Sequence, residues 1–135
     1  MKISKVYAVI PAYNEEKDIV TIILKTVKYV DKVIVVDDGS RDATKEVAEK
    51  AGAIVLRHAV NLGKGAALKT GCDLAVKNGA KFIIALDADA QHKPEDIPRF
   101  LEKLEKYDIV FSFRKSGTAM PLMLRFGNWF ISGVV

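Results

Sequence analysis

The chain has 135 residues, half of them hydrophobic and 28% charged, with a net charge of +4. That balance excludes a disordered tail and leaves room for one buried core rather than two. A single cysteine, Cys72, excludes an internal disulfide framework, fits a reducing compartment and reads as a small core residue.

Val6-Tyr7-Ala8-Val9-Ile10, ended by Pro11, reads as a buried strand. It is too short for a secretory signal and leads at once into Asn14, Glu15 and Glu16. Ile19, Ile22, Ile23, Val27 and Val30 then recur at helical spacing, predicting a helix over Glu16 to Tyr29 with Asp18 early and Lys25 and Lys28 late. Lys32 to Val36 is a second strand. Asp42 to Ala51 is a short helix, capped by Ser40 or Asp42 and closed by Gly52. Ala53 to Arg57 is a third strand, Ala66 to Lys77 a helix closed by Asn78-Gly79, and Phe82 to Leu86 a fourth strand. Ile97, Phe100, Leu101 and Leu104 mark a helix that Pro94 or Pro98 can start. Asp108 to Ser112 is the fifth strand.

Five strand–helix beats with continuous apolar strands imply an α/β fold, a Rossmann-like, doubly wound, mostly parallel sheet covered on both faces. Ligands of such sheets sit outside the carboxyl ends of the strands. The polar clusters do follow strands: Pro11 to Glu15, Asp37 to Ser40, Asn61 to Gly65, Asp87 to Asp89, and Arg114-Lys115. All five are expected on one rim.

Asp87-Ala88-Asp89 carries the strongest chemistry. If the chain is still extended there, residues two apart point the same way and both carboxylates face one site. Such a pair repels unless a cation neutralises it. Oxygen-only ligands suit Mg²⁺ or Mn²⁺, and Gln91 can add a carbonyl oxygen directly or through water. The bland alternative is a solvated turn. One of Asp37 and Asp38 is expected to accept hydrogen bonds from a ribose or base, while Gly39, Ser40 and Asp42 read as turn and cap chemistry. Tyr13 can stack on a base and Glu15 can accept from it, although Pro11 to Glu15 alone reads as an ordinary loop with a helix-capping Asn14.

Asn61 to Gly65 is neither a Walker A loop nor a dinucleotide fingerprint. His58 stands in place of the first Walker glycine, Gly65 in place of its Ser/Thr, and Leu68 in place of the third fingerprint glycine. A glycine-rich turn at a helix N-terminus still lets Lys64 approach a phosphate. Arg114 and Lys115 either neutralise a departing diphosphate or are solvated surface charges. The two histidines, His58 and His92, offer no zinc spacing, and no hydrolase triad or nucleophile elbow is present.

No acidic residue follows Asp108. The basic, apolar segment from Met120 to Ile131, with Arg125 and Trp129, suits either the surface of an anionic membrane or a core helix. No run reaches the roughly 20 apolar residues that span a bilayer. Phe126 to Val135 stops in mid-pattern, so the chain is expected to be a fragment.

In order, Ile10-Pro-Ala-Tyr-Asn-Glu15, Val35-Val-Asp-Asp-Gly-Ser40, Asn61-Leu-Gly-Lys-Gly65, Leu86-Asp-Ala-Asp-Ala-Gln-His92 with Pro94, and Ser112-Phe-Arg114 resemble the family 2 glycosyltransferases of the GT-A fold. The resemblance is nearest to dolichyl- and polyprenyl-phosphate mannosyl- or glucosyltransferases. It implies that Pro11, Tyr13, Glu15, Val36 and Asp38 hold the nucleotide, so that of the aspartate pair Asp38 is favoured. It further implies that Asp87, Asp89 and Gln91 hold Mg²⁺ or Mn²⁺, that Ala88 lines the donor site and that Arg114 meets the donor diphosphate. Arg125 and Asn128 resemble the start of a membrane- and lipid-proximal segment.

The implied domain is a nucleotide-sugar-binding unit over 1–115, followed over 116–135 by the start of an acceptor- or membrane-proximal segment. The implied reaction is inverting transfer of a hexose from GDP-mannose or UDP-glucose to a polyprenyl or dolichyl phosphate. It would run at the cytoplasmic face of a membrane and without nucleic acid. No catalytic base is identifiable, because the family's acceptor-side residues lie downstream. A polysaccharide-forming enzyme and a sugar-nucleotide binder without turnover are the alternatives. A nucleotidyltransferase would want a Gly-, Arg- and Lys-rich loop after the first strand, where Tyr13-Asn14-Glu15 stands instead.

Overall fold

The computed structural model describes residues 5–88, 94–104, 109–111 and 122–125. Its strands are β1 (Val6–Ala12), β2 (Lys32–Asp37), β3 (Ile54–Arg57), β4 (Phe82–Ala85), β5 (Ile109–Phe111) and β6 (Leu122–Arg125). The helices are α1 (Ile19–Thr26), α2 (Thr44–Lys50), α3 (Lys64–Lys77) and α4 (Ile97–Leu104), the last entered through a 3₁₀ turn at Pro94–Asp96.

All strands join one sheet in the order β3-β2-β1-β4-β6-β5. β1 pairs in parallel with β2 and β4, and β2 with β3. The chain winds outward from β1 to β3, then returns to β4 on the other side of β1. Between β1 and β4 the winding reverses, which opens a crevice at their carboxyl ends.

The strands are apolar at nearly every position because helices cover both faces. Val6, Ala8, Ile10, Val33 and Val35 pack with Ile19, Ile22 and Ile23 of α1, Ala48 of α2 and Ile97 of α4. Their alternates Tyr7, Val9, Ile34, Val36 and Ile83 pack under α3, on Ala67 and Ala75. The doubly wound expectation holds.

Two features differ from the sequence expectation. Leu122–Arg125 is a strand, not a helix, and lies between β4 and β5, antiparallel to both. Periodicity cannot separate a short buried strand from a buried helix segment. α1 begins at Ile19 rather than Glu16, with Asp18 at its N-cap, since residues 14–16 serve another purpose. There the Asn14 amide donates to Ser40 Oγ (2.8 Å), the Glu15 amide to Thr44 Oγ1 (2.9 Å), and the Arg41 amide to Asn14 Oδ1 (2.9 Å). These bonds tie the loop after β1 to the loop after β2. Ser40 is therefore spent on this link and does not cap α2, whose N-cap is Ala43. Asp42 Oδ1 instead accepts from the Thr44 amide at the helix entrance (2.9 Å).

Candidate functional site

A cleft of about 320 Å³ opens at the crevice, lined by Pro11, Ala12, Tyr13, Glu15, Asp38, Asn61, Gly63, Lys64, Asp87 and Ala88. Each of the four parallel strands contributes residues at or just past its carboxyl end. Of the residues singled out from sequence, Pro11, Tyr13, Glu15, Asp38, Lys64, Asp87 and Ala88 come together here. Val36 does not reach the wall; its side chain is fully buried under α3. Asp89, Gln91, His92, Arg114, Lys115, Asn128 and Trp129 lie outside the described residues, and of Arg125 only the strand position is described.

The two aspartates after β2 take opposite directions. Asp37 turns away from the cleft: its Oδ1 accepts from the Ser40 amide (2.9 Å), and Arg57 Nε approaches Oδ2 at 3.7 Å. Asp38 faces the cleft, with Oδ1 accepting from His58 Nδ1 (2.8 Å) and the Leu62 amide (2.9 Å), and Oδ2 from the Gly63 amide (2.8 Å). Burial pushes the Asp38 carboxyl up. The Leu62 amide, the His58 ring and the Gly63 amide outweigh that burial and hold it below its ordinary value.

Lys64 opens α3 just after Gly63, which adopts φ +101° and caps the helix without a side-chain bond. The lysine is two-thirds exposed and forms an ion pair with Asp87 Oδ1 at the end of β4. Asp87 itself is buried. Three carboxylates (Glu15, Asp38 and Asp87) and one ammonium thus share the cleft. An anionic ligand entering this wall needs a further cation. The carboxylate oxygens of the wall, with an ammonium already resting on Asp87, suit a hard divalent ion. Among the described residues no three His, Cys, Asp or Glu side chains converge as ligands, and a full set would draw on Asp89 and Gln91.

Sequence reasoning did not single out Asn61, which lines the cleft, or Thr70, whose hydroxyl meets His58 Nε2 at 2.8 Å. It treated His58 only as the residue that breaks a Walker A loop and as a non-ligand of zinc. No spacing rule links a histidine after one strand to an aspartate after another. Cys72 is partly buried and packs against the core under α3: burial, then the charge of Asp73, push its thiol up to about 11.

Residues 7–123 match the family described as Glycosyl transferase family 2. The chain belongs to that family. Over 91% of its length it is 34% identical to the UDP-N-acetylglucosamine–dolichyl-phosphate N-acetylglucosaminyltransferase of Methanococcus voltae, of which it covers 59%. It is 35% identical, over 85% of its length, to the undecaprenyl-phosphate 4-deoxy-4-formamido-L-arabinose transferase of Proteus mirabilis, covering 38% of that protein. An uncharacterized protein of Methanocaldococcus jannaschii is 40% identical over 93% of this chain and 54% of its own.

Among solved structures, glucosyl-3-phosphoglycerate synthase of Mycobacterium tuberculosis, in complex with Mn²⁺, UDP-glucose and phosphoglyceric acid, superposes with a TM-score of 0.70. It is 29% identical, with 85% of this chain and 45% of that one covered. The chain thus spans between 38% and 59% of the length of these curated relatives. No helix among its described residues is long and apolar enough to cross a membrane.

Proposed function

We propose that this chain is the donor-binding half of a metal-dependent, inverting glycosyltransferase that moves a hexose from a GDP- or UDP-sugar to a polyprenyl or dolichyl phosphate. The observation that carries the reading is the cleft itself, where an acidic wall with one lysine stands at the point of the sheet where winding reverses. Its relatives named for dolichyl- and undecaprenyl-phosphate support the acceptor class. The synthase bound to Mn²⁺ and UDP-glucose supports the donor class.

In this reading Tyr13, 43% exposed at the cleft mouth, stacks on the base. Glu15 accepts from base or ribose, and Ala88 leaves room for the sugar. Asp87, Asp89 and Gln91 would hold Mg²⁺ or Mn²⁺, which supplies Lewis-acid stabilisation of the diphosphate leaving group. Lys64 and Arg114 add positive charge at the same group. An acceptor phosphate is already anionic near neutral pH, so its attack needs no strong base from this chain. Residues 116–135 begin the acceptor side, with Trp129 against the isoprenoid at the cytoplasmic face of the membrane.

Calorimetric titration of UDP and of GDP, each with and without Mn²⁺, tests the reading. Metal-dependent binding of one of them, followed by slow hydrolysis of the matching sugar nucleotide, is expected. No binding of either would end it.

A further inference from the structure

Asp38 reaches the cleft wall already engaged. A carboxylate offers about four acceptor positions, and bonds from His58, Leu62 and Gly63 fill three of them. The chain of contacts continues away from the cleft. His58 is itself nearly buried, with its side chain 11% exposed, and its backbone amide donates to the Asp37 carbonyl at 2.9 Å. Its Nε2 meets the Thr70 hydroxyl on α3. That hydroxyl donates to a neutral ring and accepts from a charged one, so the chain closes in either protonation state. The loop from Val60 to Gly63 is thus gripped from two sides. Asp38 holds its amides, and Gly39 lets its backbone come within 2.8 Å of where a β-carbon would stand.

We propose that His58 and Thr70 are positioning residues for donor binding. Acting through Asp38, they fix the Asn61–Gly63 loop, and with it Lys64, against the cleft. The proposal rests on the reading of the cleft as a sugar-nucleotide site. Neither residue lines the cleft, so removing either takes away no ligand contact. What is lost is the order of the loop, and the ligand must restore that order when it binds.

The test uses three variants and two readouts. Thr70→Val cuts only the outer bond, His58→Phe cuts both, and the side-chain amide of His58→Asn can still donate to Asp38. In the unliganded protein, the Leu62 and Gly63 amide resonances are expected to shift in Thr70→Val. In calorimetry with Mn²⁺ and UDP or GDP, affinity is expected to fall about threefold for Thr70→Val and roughly tenfold for His58→Phe, with most of it recovered in His58→Asn. Folded variants that melt earlier yet keep parental affinity and unmoved loop amides would show a purely structural role and overturn the proposal. Should His58→Phe not fold, Thr70→Val decides by both readouts. If the parent binds neither nucleotide, the functional reading fails and this proposal falls with it. Parental binding with indifferent variants sinks this proposal alone.

Discussion

Asp38 and Gly39 show how much one turn can carry. The folded state holds the Asp38 carboxyl below its ordinary value near 3.8, so the folded protein binds this proton less readily than the unfolded chain does. The stability it contributes is fully present above that ordinary value and is lost as pH falls through the folded one. Asp42 has the same sign, because the Thr44 hydroxyl and amide outweigh its desolvation. Comparing urea midpoints of the parent and Asp38→Asn at about pH 6 and about pH 3 isolates Asp38. The variant should be less stable by about 2 kcal/mol at the higher pH, with the gap closing at the lower. Gly39→Ala should lose about 1–3 kcal/mol in the same assay. Its φ is +80°, and an added β-carbon would stand 2.8 Å from the Val60 carbonyl carbon and the Asn61 amide nitrogen. A parental midpoint would mean that the loop is not held there.

At the scale of elements, α3 is the part that the cleft depends on, because it begins at Lys64 and presses on the sheet through Gly71. A β-carbon at Gly71 would fall 2.3 Å from Val9 Cγ1 and 3.0 Å from Val36 Cγ2, both fully buried. Alanine normally gains about 1 kcal/mol over glycine in a helix. Here the overpacking, worth about 1–3 kcal/mol, should win. Gly71→Ala is therefore expected to destabilise, and Gly71→Ala with Val9→Ala to lose less than the two single changes together. Additive losses would show that helix and strand do not meet at this point. The parallel strands were legible in sequence, since each is a valine- and isoleucine-rich run with a polar cluster after it. β6 was not, because Leu122-Met-Leu-Arg125 holds no β-branched residue, and only pairing with β4 and β5 makes it a strand. The start of α1 was hidden for another reason. Its first turn is displaced by bonds from residues 14–16 to the loop after β2, and local propensity does not register such a contact.

For the whole molecule, the reversal of winding between β1 and β4 is what gathers residues as distant in sequence as Tyr13 and Asp87 into one cleft. Because ligands follow the carboxyl ends of parallel strands, most of the candidate wall could be read before any coordinates. The grip of His58 and Thr70 on Asp38 could not, since it runs across three elements with no fixed spacing. In the proposed function, Asp87 and Asp89 hold a divalent ion against a diphosphate. The most direct test is the linkage of Mn²⁺ and UDP or GDP in the parent and in Asp89→Asn, measured by calorimetry on proteins of equal melting temperature. Mn²⁺ should tighten nucleotide binding to the parent by at least about fivefold and leave Asp89→Asn unaffected. Equal, metal-enhanced binding by both proteins would show that Asp89 does not hold the ion.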